Sequence, residues 1–351
     1  MQANPFLGIV LHALGGFAAG SFYIPFKKVR RWAWESYWLV GGFFSWIIAP
    51  WMVATLVCPD LPSVLLTAPA QSLLWSYLFG VLWGIGGLTF GLSMRYLGMS
   101  LGYALALGFC AAFGTVLRQE FIAQFSVIIT TLSGWLTLGG VLVCLAGIAV
   151  CGLAGVAKER ELPADQKTQV ISEFNFAKGV WVAIFAGIMS ACMSFAIGAG
   201  KPIASLAVQY GTPDLWQNTP VFVVILAGGF TTNFIWCAAL NWRNRTVGDY
   251  VGANGASLFS NYLFSALAGT TWYLQFMFYG MGTTKMGRYD FSSWTIHMAF
   301  IIVFSNLWAL FFGEWQGASR RTHRIILAGI LVLTASTLVI GLGNYAASLK
   351  K

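Results

Sequence analysis

The sequence predicts an all-α polytopic membrane protein with ten transmembrane helices, arranged as two inverted five-helix repeats. Three observations carry this. Asp, Glu, Lys and Arg make up only 9% of the 351 residues, and AVILMFWYC make up 58%, whereas an ordinary soluble protein carries about 25% charged residues. A water-soluble enzyme needs more charge to cover its surface, and a disordered chain is polar and aromatic-poor, unlike this one at 16% aromatic. The apolar runs are long and unbroken, whereas barrel strands alternate over short segments. The runs also fall five and five about one polar stretch.

A helix needs about 20 apolar residues to cross the hydrocarbon core. Ten runs satisfy this: 5–25, 37–57, 73–94, 97–117, 133–155, 179–199, 217–240, 259–281, 291–312 and 325–345. The first lacks a basic leader and a cleavage site after a short apolar core, which predicts a retained helix and not a signal peptide. Residues 1–157 form the expected first repeat, 158–178 a polar cytoplasmic linker and 179–351 the second repeat. Five is odd, so the second half enters the membrane upside down. Two spacings agree with a repeat: Ser21-Phe22-Tyr23-Ile24 precedes Lys28 as Ser194-Phe195-Ala196-Ile197 precedes Lys201, and Trp83, Gly91 and Gly98 match Trp272, Gly280 and Gly287. Inverted repeats place a substrate site near mid-membrane between the halves. Glycine pairs four apart, such as Gly16 with Gly20, Gly80 with Gly84 and Gly87 with Gly91, let helices approach closely.

Lys and Arg in the loops set orientation. One side receives Lys27, Lys28, Arg30, Arg31, Arg95, Lys158, Arg160, Lys167, Lys178, Arg243, Arg245, Arg320, Arg321 and Arg324; the other receives Arg118, Lys201, Lys285, Arg288, Lys350 and Lys351. The first side is therefore expected to be cytoplasmic, with both termini periplasmic. The net charge of +9 follows from this asymmetry and calls for no nucleic acid. No Walker A, HExxH or CxxC pattern occurs, so neither cofactor nor metal nor catalytic residue is implied. The six cysteines read as buried apolar thiols.

A polar side chain inside a span is costly and tends to face the bundle interior. In the ninth span Asp290, Ser293, Trp294 and His297 follow i, i+3, i+4, i+7, which predicts one helix face. The plainer reading of Asp290 is a helix N-cap, and that of His297 a hydrogen-bonded packing residue. His12, in the first span, is expected at the depth of His297. Histidine changes charge near neutral pH, so His12, His297 and Asp290 are the candidate proton-coupling groups. In the eighth span Trp272, Tyr273 and Gln275 offer an aromatic plane beside an amide, which suits a sugar; the plainer reading is a helix contact. Asn233, Trp294, Trp83 and Tyr23 complete the candidate substrate-binding set. Glu35, Glu314 and Glu120 beside Arg118 are expected as solvated charges at helix ends.

Several motifs resemble the L-rhamnose–proton symporter family: Phe22-Tyr23, Pro25-Phe26-Lys27-Lys28-Val29, Trp32, Trp34-Glu35, Trp38, Trp83-Gly84-Ile85-Gly86, Met94-Arg95-Tyr96-Leu97-Gly98-Met99-Ser100, Lys158-Glu159-Arg160, Trp272-Tyr273-Leu274-Gln275-Phe276, Tyr289-Asp290, His297-Met298 and Glu314-Trp315. They run from the first span to the last. The resemblance implies a drug/metabolite transporter fold and proton-driven uptake of L-rhamnose or a related deoxysugar across a bacterial inner membrane. Sugar, proton and lipid bilayer are then the expected partners. The competing expectation is an exchanger of sugar phosphates or nucleotide sugars, with Lys28 and Lys201 as a phosphate clamp. A membrane-embedded transferase lacks a nucleophile–base pair.

Overall fold

Long apolar runs leave the backbone no partner but itself in lipid, so each closes into a helix. The structure is a computed structural model describing residues 3–97, 99–161, 176–253, 255 and 257–349, and these form helices and loops without strands. Residues 162–175 of the expected linker, and Gly98 of the repeat match, lie outside the described residues.

The helices are α1 (Pro5–Ser21), α2 (Trp34–Val57), α3 (Leu61–Thr67), α4 (Ala70–Leu97), α5 (Met99–Val116), α6 (Gln119–Thr130), α7 (Leu132–Glu161), α8 (Phe176–Ala199), α9 (Lys201–Gln209), α10 (Thr219–Asn244), α11 (Leu258–Thr283), α12 (Ser293–Phe311) and α13 (Arg320–Leu349). Among the described residues, 8 helices are long and apolar enough to cross a membrane, or 9 if the pair bent by 73° at α5 and α6 is one span. The expected number was ten. At 26 residues α11 has the length, but its amide, hydroxyl and glycine positions dilute its apolarity. The short helices α3, α6 and α9, missed in the sequence, lie between the long ones.

Both described chain ends lie at one end of the bundle, hereafter the terminal end. The Asn4 N–H donates to the Lys285 carbonyl at 3.0 Å, and Phe6 meets Tyr345 at 5.6 Å between ring centroids. At the opposite, basic end Lys27 lies 3.8 Å from Glu314, and Glu161 accepts hydrogen bonds from Ser319 and Thr322.

Two groups of three helices form the centre. α1 packs on α11 and α12, and α8 packs on α4 and α5. α7 and α13 run together at one flank, while α2 and α10 meet at the other. Glycine makes these crossings close: a Cβ on Gly16 would strike Phe300, one on Gly80 the Ile225 carbonyl, and one on Gly269 the Gly41 carbonyl. Such close approach supplies the packing attraction that lipid cannot. Gly87 and Gly91 are different, since a Cβ on either would meet open space. Leu56, Leu66, Leu132, Trp181 and Trp242 stand exposed, which suits a surface facing lipid. All six cysteines are free and buried.

Candidate functional site

Three helices of the first central group meet at a buried ring cluster. His12 comes from α1, Tyr279 from α11 and His297 from α12. Tyr279 lies 5.2 Å from His12 and 5.1 Å from His297 between ring centroids, and the two imidazoles are 6.1 Å apart. The expected common depth of the histidines is met. Glycine admits both rings: a Cβ on Gly282 would lie 2.8 Å from His12 Cε1, and one on Gly15 3.1 Å from His297 Cε1. Both nitrogens of His12, Nδ1 of His297 and the Tyr279 hydroxyl are buried without a hydrogen-bond partner within the described chain. Leaving such groups unpaired costs about 1–3 kcal/mol each, so a fold that keeps several together invites a function. Chemically, two imidazoles and a phenol can hold and pass one proton.

An aromatic wall lies farther along α11, built with rings from α2, from α4 and from the residues after α1. Trp83 meets Phe276 edge-on at 5.5 Å and Trp46 at 6.1 Å. Trp272 lies 6.0 Å from Phe276 and 4.2 Å from Phe22, and Tyr23 is stacked with Trp38 at 6.3 Å. A small cleft opens here between Phe22, Trp38, Ser45, Trp46, Gly269 and Trp272. Ser45 Oγ, Trp46 Nε1 and Trp272 Nε1 are buried without a partner, so the cleft offers flat apolar faces beside free donors. Ser45 and Trp46 sit on a π-helical turn of α2, Phe44–Ile48, a distortion frequent at functional sites. Sequence reasoning missed both; a serine next to a tryptophan deep in an apolar span was the available signal.

The remaining candidates have other engagements. Asn233 accepts from Trp38 Nε1 at 3.0 Å and donates to the Gly229 carbonyl at 2.9 Å, so it orients the wall. Trp294 donates from Nε1 to the Cys110 carbonyl at 3.0 Å and fills the space left by Gly114. Tyr273 and Gln275 are buried, with the Tyr273 hydroxyl and Gln275 Nε2 unpartnered.

Asp290 lies on the 3-10 turn that leads directly into the helix of His297. Gly287–Ser292 is a 3-10 turn interrupted at Tyr289 (φ −101°, ψ 45°), and α12 begins only at Ser293 with Ser292 as its N-cap. The break at Tyr289 comes just before Asp290, whose carboxylate lies 2.9 Å from Lys201 Nζ and 3.6 Å from Arg118 Nη2. Glu120 binds the same two cations, at 3.0 Å from Arg118 Nε and 2.9 Å from Lys201 Nζ. Arg118 is only 2% exposed, so this pair is not the solvated surface charge expected. Glu35 is buried too, accepting from Asn244 and Thr246. Asp290 stands just before α12, and Trp294 in the first turn of α12 lies 5.8 Å from Tyr279 between ring centroids, so the ion cluster and the imidazole cluster are neighbours.

The chain matches the protein family described as L-rhamnose-proton symport protein over residues 1–346. It is 39% identical over 340 residues to the L-rhamnose-proton symporter of Cronobacter sakazakii, covering 96% of this chain and 97% of that one. Against the L-rhamnose-proton symporter of Yersinia pestis it is 38% identical over 343 residues, covering 97% and 98% respectively.

Proposed function

The chain belongs to the L-rhamnose–proton symport family, and on that premise we propose that it carries L-rhamnose with a proton across the bacterial inner membrane by alternating access. The observation that carries the mechanism is the buried His12–Tyr279–His297 cluster beside an aromatic cleft. The imidazoles take the proton. Trp272, Trp83, Trp46 and Tyr23 offer ring faces to the apolar face of the sugar. Ser45 and the Trp46 and Trp272 indoles serve its hydroxyls, Tyr273 and Gln275 add further donors, and Asn233 and Trp294 hold the surrounding helices in register.

The architecture proposed is ten spans, with α1, α2, α4, α5 and α7 as one repeat and α8, α10, α11, α12 and α13 as its inverted copy. The helix pairings support it. Exchanging the halves turns the packing of α1 on α11 and α12 into that of α8 on α4 and α5, and turns α10 on α4 into α2 on α11. The α7–α13 and α2–α10 pairs map onto themselves. The loop charges support a basic end in the cytoplasm and both termini in the periplasm. The exchanger reading gains nothing, because Lys201 is already engaged by two carboxylates.

Uptake of radiolabelled L-rhamnose tests the proposal, in cells lacking their own carrier and with external pH recorded in weak buffer. Accumulation with alkalinisation of the medium is the expected result. Accumulation without a pH change would remove the proton from the mechanism.

A further inference from the structure

Four charged residues meet at the terminal end, and they do not belong to one unit. Arg118 and Glu120 stand at the break between α5 and α6, and Lys201 begins α9 directly after α8. These three ride on the α4–α5–α8 group. Asp290 precedes α12 and rides on the α1–α11–α12 group. Glu120 holds the two cations together, leaving their side with one net positive charge, and Asp290 answers it from across the interface. Behind the cluster the two groups are closely fastened. Trp294 donates to the Cys110 carbonyl and Thr115 and Thr295 share a hydrogen bond of 2.7 Å. At the opposite end, Lys27–Glu314 joins α1 to the loop after α12, within one group.

We propose that Asp290, clamped by Arg118 and Lys201, is a charge latch that holds the periplasmic end of the carrier shut, with Glu120 keeping the two cations assembled. The three partners are positioning residues, acting through Asp290. The assignment rests on the alternating-access reading above. When the two groups separate at this end, Asp290 leaves and Arg118 retains Glu120, so no guanidinium is left buried and alone. Neutralising Asp290 removes the negative charge that meets these cations from across the interface, and so weakens the closed arrangement.

The test is the labelling rate of a single reporter, Ser293→Cys, by a membrane-impermeant maleimide added to right-side-out vesicles holding the full chain. Ser293 is buried just behind the latch, and its hydroxyl has no partner to lose. The protein without the reporter supplies the background of the native thiols. With the latch intact, labelling is slow. Asp290→Asn is expected to speed it about tenfold, and Lys201→Gln, at a half-exposed position tolerant of change, should do so in the same direction. Asp290→Glu should restore slow labelling. Unchanged rates in both neutral variants overturn the latch. So does equal acceleration in Asp290→Glu, which would report loosened packing. The readout needs no sugar: slow labelling that the neutral variants release, in a protein that fails to carry L-rhamnose, would strike the substrate assignment and leave the latch standing.

Discussion

The His297 imidazole rests on Gly15, one turn along α1 from His12, so the backbone of one helix forms the floor beneath the histidine of another. His12 rests in the same way on Gly282 of α11. Neither floor admits a side chain without displacing a ring.

Gly282→Ala should therefore damage coupling before it damages folding. The added methyl would lie 2.8–3.0 Å from three atoms of the His12 ring. Overpacking of this kind costs about 1–3 kcal/mol. Expression and detergent stability are expected to fall modestly, while proton-driven accumulation falls by about tenfold or more. Comparing accumulation with counterflow in the same vesicles measures the split.

His297→Gln and His12→Gln each remove one titratable imidazole from the cluster. Both variants should lose accumulation against a gradient and retain exchange of sugar across the membrane. Equal loss of exchange would show that the histidines serve binding or packing.

Ser45→Ala removes one free hydroxyl from the aromatic cleft. A hydrogen bond to an uncharged group contributes about 1 kcal/mol, so KM for L-rhamnose should rise about fivefold with Vmax little changed. Trp272→Ala, which also removes a stacking face, should raise it further. Initial-rate uptake over a range of sugar concentrations reads both.

Asn233→Leu is expected to act on stability. Its loss leaves the Trp38 indole N–H buried without the bond seen at 3.0 Å, at about 1–3 kcal/mol. Thermal unfolding in detergent should show a lower midpoint, and the KM of the surviving protein should stay within about twofold, a change worth less than 1 kcal/mol.

Glu314→Gln should change little. Lys27 and Glu314 are about half exposed, and such pairs contribute about 0–1 kcal/mol. Uptake and midpoint should both match the parent protein.

Much of this is legible in the sequence. The apolar runs marked the long helices, and Gly16, Gly20 and Gly80 marked close crossings. The shared depth of His12 and His297 followed from their positions within two runs. The ion partners of Asp290 were not legible, because Arg118 and Lys201 lie far from it in the chain. Arg118 and Glu120 read as solvated from sequence, because they stand between two helices. Only the approach of Lys201 and Asp290 shows otherwise.

The sequence by itself determined the solvent, the long helices and the ends that bear charge, since hydropathy and periodicity are properties of neighbours along the chain. Tertiary structure alone decided that α12 meets α1 at two histidines, that Trp38 claims Asn233, and that one aspartate bridges two helix groups. A buried polar atom must find its partner in space, and the partners of these atoms lie on helices far away in the chain.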